Sequence, residues 1–364
     1  MSNDVLSVVI AGGGTAGHIE PALAVGEALK THHGARTTAL GTRKGLEGEI
    51  IPARGVDLRM IIPVPIPRKP SMDLVKLPFR IAKAVGQTRT VLKDVNAKAV
   101  LGTGGYVAAP AYLAAKSMGL PFYVLESNAK AGIANKLGVK LGGAGFNATH
   151  NSGMPGEVVG IPIRAELGKD EDGSAAARGR ETWGFDDSKP VLLVTGGSQG
   201  AASINAAVAE SLPGLLEHVQ VLHAYGPKNE APEAQDGYVP VPYISDMAAA
   251  LAVADLTVCR SGAMTVAEIT AASLPAIYVP LPHGNGEQAL NSQHVVDAGG
   301  AILIDDAELT GQRLTEEVMK IARDEVGRQQ MIAAAQDSGA GDVAKLLADR
   351  IASDVAEVEE KESK

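Results

Sequence analysis

The chain alternates short β-branched apolar runs with longer stretches in which apolar residues recur at helical spacing. In the first half, residues 5–10, 37–40, 99–101 and 121–125 read as strands, and most are followed by a Gly-containing turn and an Ala-rich helical pattern. Repeated strand–helix units predict a parallel sheet covered by helices. Over residues 164–190 the pattern breaks into "RAELGKDEDGSAAARGRETWGFDDSKP", which is charged, rich in Gly and Ser, and reads as a linker or surface excursion. It then restarts. "PVLLVTGGSQGAASINAAV" is again an apolar run, a glycine-rich turn and a helix, and residues 219–224, 256–259, 276–279 and 301–304 continue the strands. The expectation is an α/β chain of two Rossmann-like domains, 1–163 and 191–340, joined by a linker at 164–190. Residues 341–364 follow as a helix that ends in a charged tail.

At 364 residues the chain is long enough for two domains. It is 45% apolar but only 3% aromatic, so its cores must rest on aliphatic side chains. Cys259 is the only cysteine, which excludes an intrachain disulfide and a Cys-based metal site. No basic segment leading into a long apolar run opens the chain, and no uncharged apolar run reaches the ~18–20 residues of a membrane helix. Residues 99–115 come nearest, but "GTGG" interrupts them. A soluble cytoplasmic protein is therefore expected. The net charge of −9 is divided unevenly: residues 1–163 carry 18 Lys and Arg against 10 Asp and Glu, and residues 164–364 carry 15 against 32. A basic half on an acidic chain suggests an anionic partner, either nucleic acid or an anionic membrane surface.

The strand at 5–10 runs into "AGGGTAGHIEPALAV", where Gly12, Gly14 and Gly17 match G-x-G-x-x-G. Glycines let a ligand approach the backbone, and the start of the next helix favours an anion. A dehydrogenase would also place an acid at the end of the second strand, but "TTALGTRKG" has none before Glu47, which disfavours NAD. His18 is either an exposed first-turn histidine or a general base, since the positive helix end disfavours its charged form. "TGGSQGA" forms a second phosphate-type turn with Ser198, and no P-loop motif is present. "VCRSGAMTVAEI" sets Arg260 at a strand end before a helix, with Glu268 further along. His283, Glu287, Gln288 and Asn291 in "LPHGNGEQALN" are polar candidates after a strand. Tyr106, in "GTGGYVAAP", and Glu126 and Asn128, in "LESNAKAG", lie at the corresponding edge of the first half. From residue 68 to 98, Arg68, Lys69, Lys76, Arg80, Lys83, Arg89, Lys93 and Lys98 accompany Leu74, Leu77, Ile81, Val85 and Leu92 at helical spacing. This stretch is either a helix that lies on an anionic membrane or a packed helix with a solvated basic face. Aromatic stacking platforms are missing, which disfavours nucleic acid.

In order along the chain, "GGGTAGHIEPALAV", "LGTGGYVAAPAYLAA", "ESNAKAGIANK", "GIPIR", "GGSQGA", "ISDMAAALAVADLTVCRSGAMTVAEI" and "GEQALN" resemble the MurG family of bacterial N-acetylglucosaminyltransferases. The resemblance implies a GT-B fold, with two Rossmann-like domains facing across a cleft and the C-terminal helix returning to the first. It implies inverting transfer of GlcNAc from UDP-GlcNAc to C4 of MurNAc in lipid I, at the cytoplasmic face of the membrane, with no metal and no cofactor. By matching position, Thr15, Ala16 and Gly17 would border the donor sugar and the acceptor pyrophosphate, beside Gly104, Gly105 and Tyr106. His18 would be the base, with Glu126 the alternative. Asn128 and Gln288 would contact the GlcNAc, and Arg164 and Ser198 the donor nucleotide. Ile244 would meet the uracil through its backbone. Ala263, Met264, Thr265, Val266, Ala267 and Glu268 would hold the nucleotide, and Arg260 would offset charge on departing UDP. Leu74, Leu77, Arg80, Ile81, Lys83 and Arg89 would belong to a membrane-docking helix. The family's His-Glu-Gln-Asn reads Leu125-Glu126-Ser127-Asn128 here, its Asn in "GNP-x-R" is Ile161, its first Gln of a pair is Glu287, and its "GTGGH" is "GTAGH". Other readings are another UDP-sugar transferase or UDP-GlcNAc 2-epimerase of the same fold, and a non-catalytic membrane-associated protein, which would not need His18.

Overall fold

The computed structural model describes residues 5–43, 45–64, 72–282 and 286–362, and only the backbone of residues 72–76 and 362. Arg68, Lys69 and His283, and the side chains of Leu74 and Lys76, lie outside the described residues. The chain forms two compact units, one of residues 1–164 and 342–364 and the other of residues 165–341.

In chain order the first unit contains β1 (Ser7–Gly12), α1 (Ala16–His33), β2 (Arg36–Gly41), α2 (Glu47–Ala53), β3 (Asp57–Met60), α3 (Met72–Asp94), β4 (Ala99–Gly104), α4 (Ala108–Met118), β5 (Phe122–Glu126), α5 (Ile133–Lys140), β6 (Ala144–Asn147) and β7 (Glu157–Val158). The second contains α6 (Ser174–Trp183), β8 (Val191–Thr195), α7 (Ala202–Leu216), β9 (Gln220–Ala224), β10 (Tyr238–Val241), α8 (Met247–Val253), β11 (Leu256–Cys259), α9 (Ala263–Ala271), β12 (Ala276–Tyr278), α10 (Glu287–Asp297), β13 (Ala301–Leu303), α11 (Gly311–Arg323) and α12 (Glu325–Asp337). Helix α13 (Val343–Glu362) closes the chain.

The sheets are wholly parallel, in orders β3-β2-β1-β4-β5-β6-β7 and β10-β9-β8-β11-β12-β13. Period-two alternation divides each strand between two covered faces. On β1, Val8 and Ile10 join a core with α1 and α13, whereas Val9 and Ala11 join one with α3 and α4. α13 belongs to the first unit because Val343, Leu347, Ile351 and Val355 recur every four residues and pack on the α1 side of the sheet.

The expected linker at 164–190 is not a linker. A 3-10 turn at Ala165–Leu167 and α6 form part of the second unit, with α6 laid against α8. The stretch looked solvent-borne because it is anchored by small residues. A side chain on Gly179 would come within 2.7 Å of the Ala249 carbonyl oxygen, so the helices meet at backbone distance. Leu167 and Phe185 are buried at either end, and Asp170 and Asp172 accept N–H bonds from Ala176 and Ser174 in the first turn of α6.

Leu347 is fully buried in the core shared by α1, α13 and the first sheet. Leu347→Ala is expected to destabilise the first unit by ~2–5 kcal/mol, read as a lower urea midpoint. A change below about 0.5 kcal/mol would mean that α13 is not part of that core.

Candidate functional site

In each sheet the strand order reverses beside the first strand, and ligands of open α/β sheets bind at that switch, beyond the carboxyl ends of the strands. In the first unit the loops after β1 and β4 meet there. The Gly13 N–H donates to the Gly104 carbonyl at 3.3 Å, and the Thr103 hydroxyl donates to the His18 carbonyl at 2.6 Å. Thr15 is the N-cap of α1, whose first turn, Ala16, Gly17 and His18, holds no acid; the His18 N–H donates to the Thr15 carbonyl at 3.1 Å, and the Ala16 and Gly17 N–H groups are available to an anion.

His18 Nδ1 lies 3.2 Å from the Gly13 carbonyl oxygen and 3.2 Å from Thr15 Oγ1. A carbonyl only accepts, so Nδ1 carries the proton and Nε2 is left with its lone pair. The ring lies over Gly104, where a Cβ would stand 2.9 Å from Nε2. Gly104 has φ +119°, so glycine is required there both by the backbone and by the imidazole. Gly105 follows, half-buried, and Tyr106 is exposed beside it.

Glu126, at the end of β5, is 1% exposed and fully engaged. Oε1 accepts from the Asn128 N–H at 2.9 Å and Asn128 Nδ2 at 3.1 Å. Oε2 accepts from the Gly132 N–H and Asn135 Nδ2, both at 2.9 Å. This carboxylate organises the loop rather than offering itself as the alternative base. Asn128 keeps its Oδ1 as an acceptor. Leu125 points into the α1-side core, so the position that the family fills with His is not at the site. Arg164 stays with the first unit and forms a 3.8 Å ion pair with Glu20, and Ile161 is half-buried. Glu47, the first acid after β2, is 1% exposed; its Oε1 accepts from the Thr42 N–H at 3.3 Å and its Oε2 is buried without a partner among the described residues.

The second unit holds a cavity of about 420 Å³ lined by Gly196, Gly197, Gly200, Ala201, Ala202, Arg260, Gly262, Thr265, Leu281 and Gln288. The starts of α7 and α9 border it, and neither N-cap residue, Ala201 or Gly262, caps its helix with a side chain. Gln288 Oε1 accepts the Leu281 N–H at 2.9 Å, which leaves its amide nitrogen as a donor. Ser198 is exposed in the turn closed by the Gly200 N–H on the Gly197 carbonyl. Of the α9 stretch, only Thr265 lines the cavity; Ala263, Met264, Ala267 and Glu268 are half-buried and Val266 is buried. The buried Ile244 side chain fixes the loop after β10. Arg260 borders the cavity but is already paired with Asp306 at 2.5 Å. Sequence reasoning missed Asp306, Asn135 and Thr103, because side-chain partners distant along the chain leave no spacing signal. Cys259 is buried and its thiol is pushed up to about 12, so it is not a nucleophile.

The glycine turn of the second unit has its own support. Gly200, at φ +73°, packs so closely that a Cβ would lie 2.0 Å from the Tyr225 carbonyl oxygen. Asn205 Nδ2 donates to that carbonyl at 2.9 Å, so its Oδ1 accepts from His223 Nε2 at 3.1 Å. His223 Nδ1 then accepts from the Tyr238 hydroxyl at 2.8 Å, in keeping with a phenol that burial pushes up to about 12.

The basic stretch divides. On α3, Ala84, Thr88, Val91 and Leu92 are buried and the helix packs on α4, while Leu77 and Ile81 are half-buried. Phe79 is 80% exposed, Lys83 and Arg89 further along the same helix are exposed, and Arg80 is half-buried. Among the described residues no helix is long and apolar enough to cross a membrane, and no cluster of three His, Cys, Asp or Glu could hold a metal.

Two parallel α/β units in one chain, each with a glycine-rich turn at its switch point, are the architecture of the GT-B glycosyltransferases, and similarity to known proteins places the chain in that class. Residues 8–142 match the Glycosyltransferase family 28 N-terminal domain and residues 191–347 the Glycosyltransferase family 28 C-terminal domain, and the chain belongs to that family. It is 64% identical over 348 residues to the UDP-N-acetylglucosamine--N-acetylmuramyl-(pentapeptide) pyrophosphoryl-undecaprenol N-acetylglucosamine transferase of Corynebacterium efficiens, covering 95% of this chain and 97% of the relative. The enzyme of that name from Corynebacterium glutamicum strain R is 61% identical, covering 96% and 99%. The crystal structure of Acinetobacter baumannii MurG superposes with a TM-score of 0.74 at 28% identity, covering 96% of this chain and 99% of that one.

Burial pushes His223 down to about 4 from its ordinary 6.5. The unfolded chain takes up this proton first. The stability that the neutral ring contributes is therefore complete above pH 6.5 and is lost as pH falls toward 4, by up to about 3 kcal/mol. Urea midpoints of the second unit should fall over that window, and His223→Gln should flatten the dependence. Parallel profiles for the two proteins would refute it.

Proposed function

We infer that the chain transfers N-acetylglucosamine from UDP-N-acetylglucosamine to the C4 hydroxyl of the muramyl sugar in undecaprenyl-pyrophosphoryl-MurNAc-pentapeptide, with inversion, and releases UDP. The curated relatives carry this activity in their names, which does not favour a 2-epimerase or a different UDP-sugar transferase. The observation that carries the mechanism is the 3.2 Å approach of His18 Nδ1 to the Gly13 carbonyl oxygen, which selects the Nδ1–H tautomer of the neutral ring. His18 holds its Nδ1 proton on the Gly13 carbonyl and presents a bare Nε2 at the first switch point. Nε2 takes the C4 hydroxyl proton as that oxygen bonds to the anomeric carbon, and the bond from that carbon to the UDP oxygen breaks. The α1 N-terminus, with Thr15, Ala16 and Gly17, receives the acceptor pyrophosphate, and Gly104, Gly105 and Tyr106 flank it. Asn128 offers an acceptor to the sugar.

The cavity of the second unit takes the donor. Its diphosphate meets the free N–H groups of α7 and α9, with Ser198 at the phosphates. Gln288 donates to the GlcNAc, Glu268 accepts from the ribose and Ile244 presents backbone to the uracil. A lipid-linked acceptor gives a reason for Phe79 to stand exposed on the helix that also exposes Lys83 and Arg89. The apolar end of α3 enters the cytoplasmic face of an anionic membrane while the buried face near Leu92 anchors the helix.

The test is transfer of radiolabelled GlcNAc from its UDP donor to a short-chain lipid I analogue, with and without EDTA. Absence of product would sink the assignment, and loss of activity to EDTA would sink its metal-independent form. His18→Ala is expected to lower kcat by ~10²–10⁴ with little change in UDP affinity. A smaller loss than in Glu126→Gln would move the base elsewhere. Charge reversal at Lys83 and Arg89 should weaken sedimentation with vesicles of anionic lipid. Binding equal to that of the unaltered protein would make α3 an ordinary packed helix.

A further inference from the structure

The bonding of Arg260 gives a task to a residue that no motif marks. Nη1 donates to the carbonyl oxygens of Val279 and Pro280, both at 3.1 Å, and to Asp306 Oδ1 at 2.5 Å. Nη2 donates to Ser203 Oγ at 2.9 Å, and Ser203 donates onward to the same Asp306 oxygen at 2.6 Å. Ser203 is in the first turn of α7, and Asp306 is in the 3-10 turn after β13. The ion pair is largely withdrawn from water, with the Arg260 and Asp306 side chains 11% and 17% exposed.

Asp306 can serve Arg260 in two ways, by holding the guanidinium in place or by balancing its charge. The first is already served by neutral groups. The two carbonyls accept from Nη1 and the Ser203 hydroxyl from Nη2, so both ends of the guanidinium fork keep their direction without a carboxylate. The contribution particular to Asp306 is a negative charge. Arg260 lines the cavity and Asp306 is not among its lining residues, so the carboxylate acts through the guanidinium rather than on a ligand. With water partly excluded, charges several ångströms apart interact more strongly than they would in solution.

We propose that Asp306 is the counter-charge that sets the cavity's affinity for a nucleoside diphosphate. A diphosphate in the cavity meets an arginine already largely compensated, so the bond-breaking step is followed by prompt release of UDP. This rests on the donor reading of the cavity. Asp306 is a positioning residue in the electrostatic sense, and it tunes the hold on the product.

Asp306→Asn keeps the size of the side chain and leaves the three neutral acceptors on Arg260. UDP is titrated calorimetrically into the full-length protein at low and high salt, and kcat and KM for UDP-N-acetylglucosamine are measured in the transfer assay. The expected result is a UDP Kd lower by about five- to tenfold. The salt dependence should be steeper, and kcat and KM should fall together as release slows. Asp306→Glu, which restores the charge, should return Kd to within about twofold of the unaltered protein. If the Asn variant does not fold, Asp306→Ser is read on the same scale. Unchanged or weaker UDP binding in the neutral variant overturns the proposal while leaving the donor reading intact. Absence of UDP binding by the unaltered protein overturns both.

Discussion

The reversal of strand order beside β1 and β8 is the constraint from which both sites follow. Right-handed crossovers leaving such a strand on its two sides run to opposite faces of the sheet, so the loops at its carboxyl end part and leave backbone N–H groups uncovered. In the first unit the parted loops are then tied again at short range. The Gly13 N–H reaches the Gly104 carbonyl, and the Thr103 hydroxyl reaches the His18 carbonyl. Those ties hold the first turn of α1 against the end of β4 and lay the imidazole over Gly104. The direction of His18 Nε2 is thus a property of the sheet and only secondarily of the glycine motif.

Spare hydrogen-bonding capacity separates the groups that can act from those that only support. Glu126 and His18 were both attractive by residue type. The carboxylate accepts four N–H bonds in a buried setting and has no unfilled role, whereas the imidazole spends one nitrogen on orientation and keeps the other. The same test applies to amides. Asn128 spends its N–H₂ on Glu126 and keeps an acceptor, while Gln288 spends its oxygen on the Leu281 N–H and keeps donors. Each is pre-oriented by the half it has spent, which lowers the entropic cost of meeting a ligand.

The buried strands and the glycine turns were legible because parallel strands covered on both faces must be apolar throughout. The edges were not. β3 reads "DLRM" and carries polar residues because one side of it is open, β10 contains Pro240, which an edge strand tolerates, and β7 is two residues long. Helix α6 escaped notice for a different reason, since it buries a Gly179 contact that hydropathy does not register. At the sites, residue type and position were readable but bonding state was not. Arg260 was expected to offset charge on departing UDP, and its pairing with Asp306 was not foreseen, since the partners lie 46 positions apart with no pattern to link them.

Charge, read by halves, pointed an anionic partner toward the basic part of the chain. Counted by compact unit the imbalance persists, near +6 for the first and −15 for the second. Yet the donor, itself a diphosphate, is read onto the acidic unit. Net charge acts through a screened long-range field, while binding is decided within a few ångströms. There the cavity offers the uncapped starts of α7 and α9, whose first turns hold no acid to offset their N–H dipoles. An acidic unit with a polar cavity floor gives up long-range capture of the anion and keeps local recognition. That balance suits a transferase whose leaving group is more highly charged than its substrate. A compensated Arg260 is its natural companion, because a bare guanidinium on the same floor would favour the product over the donor.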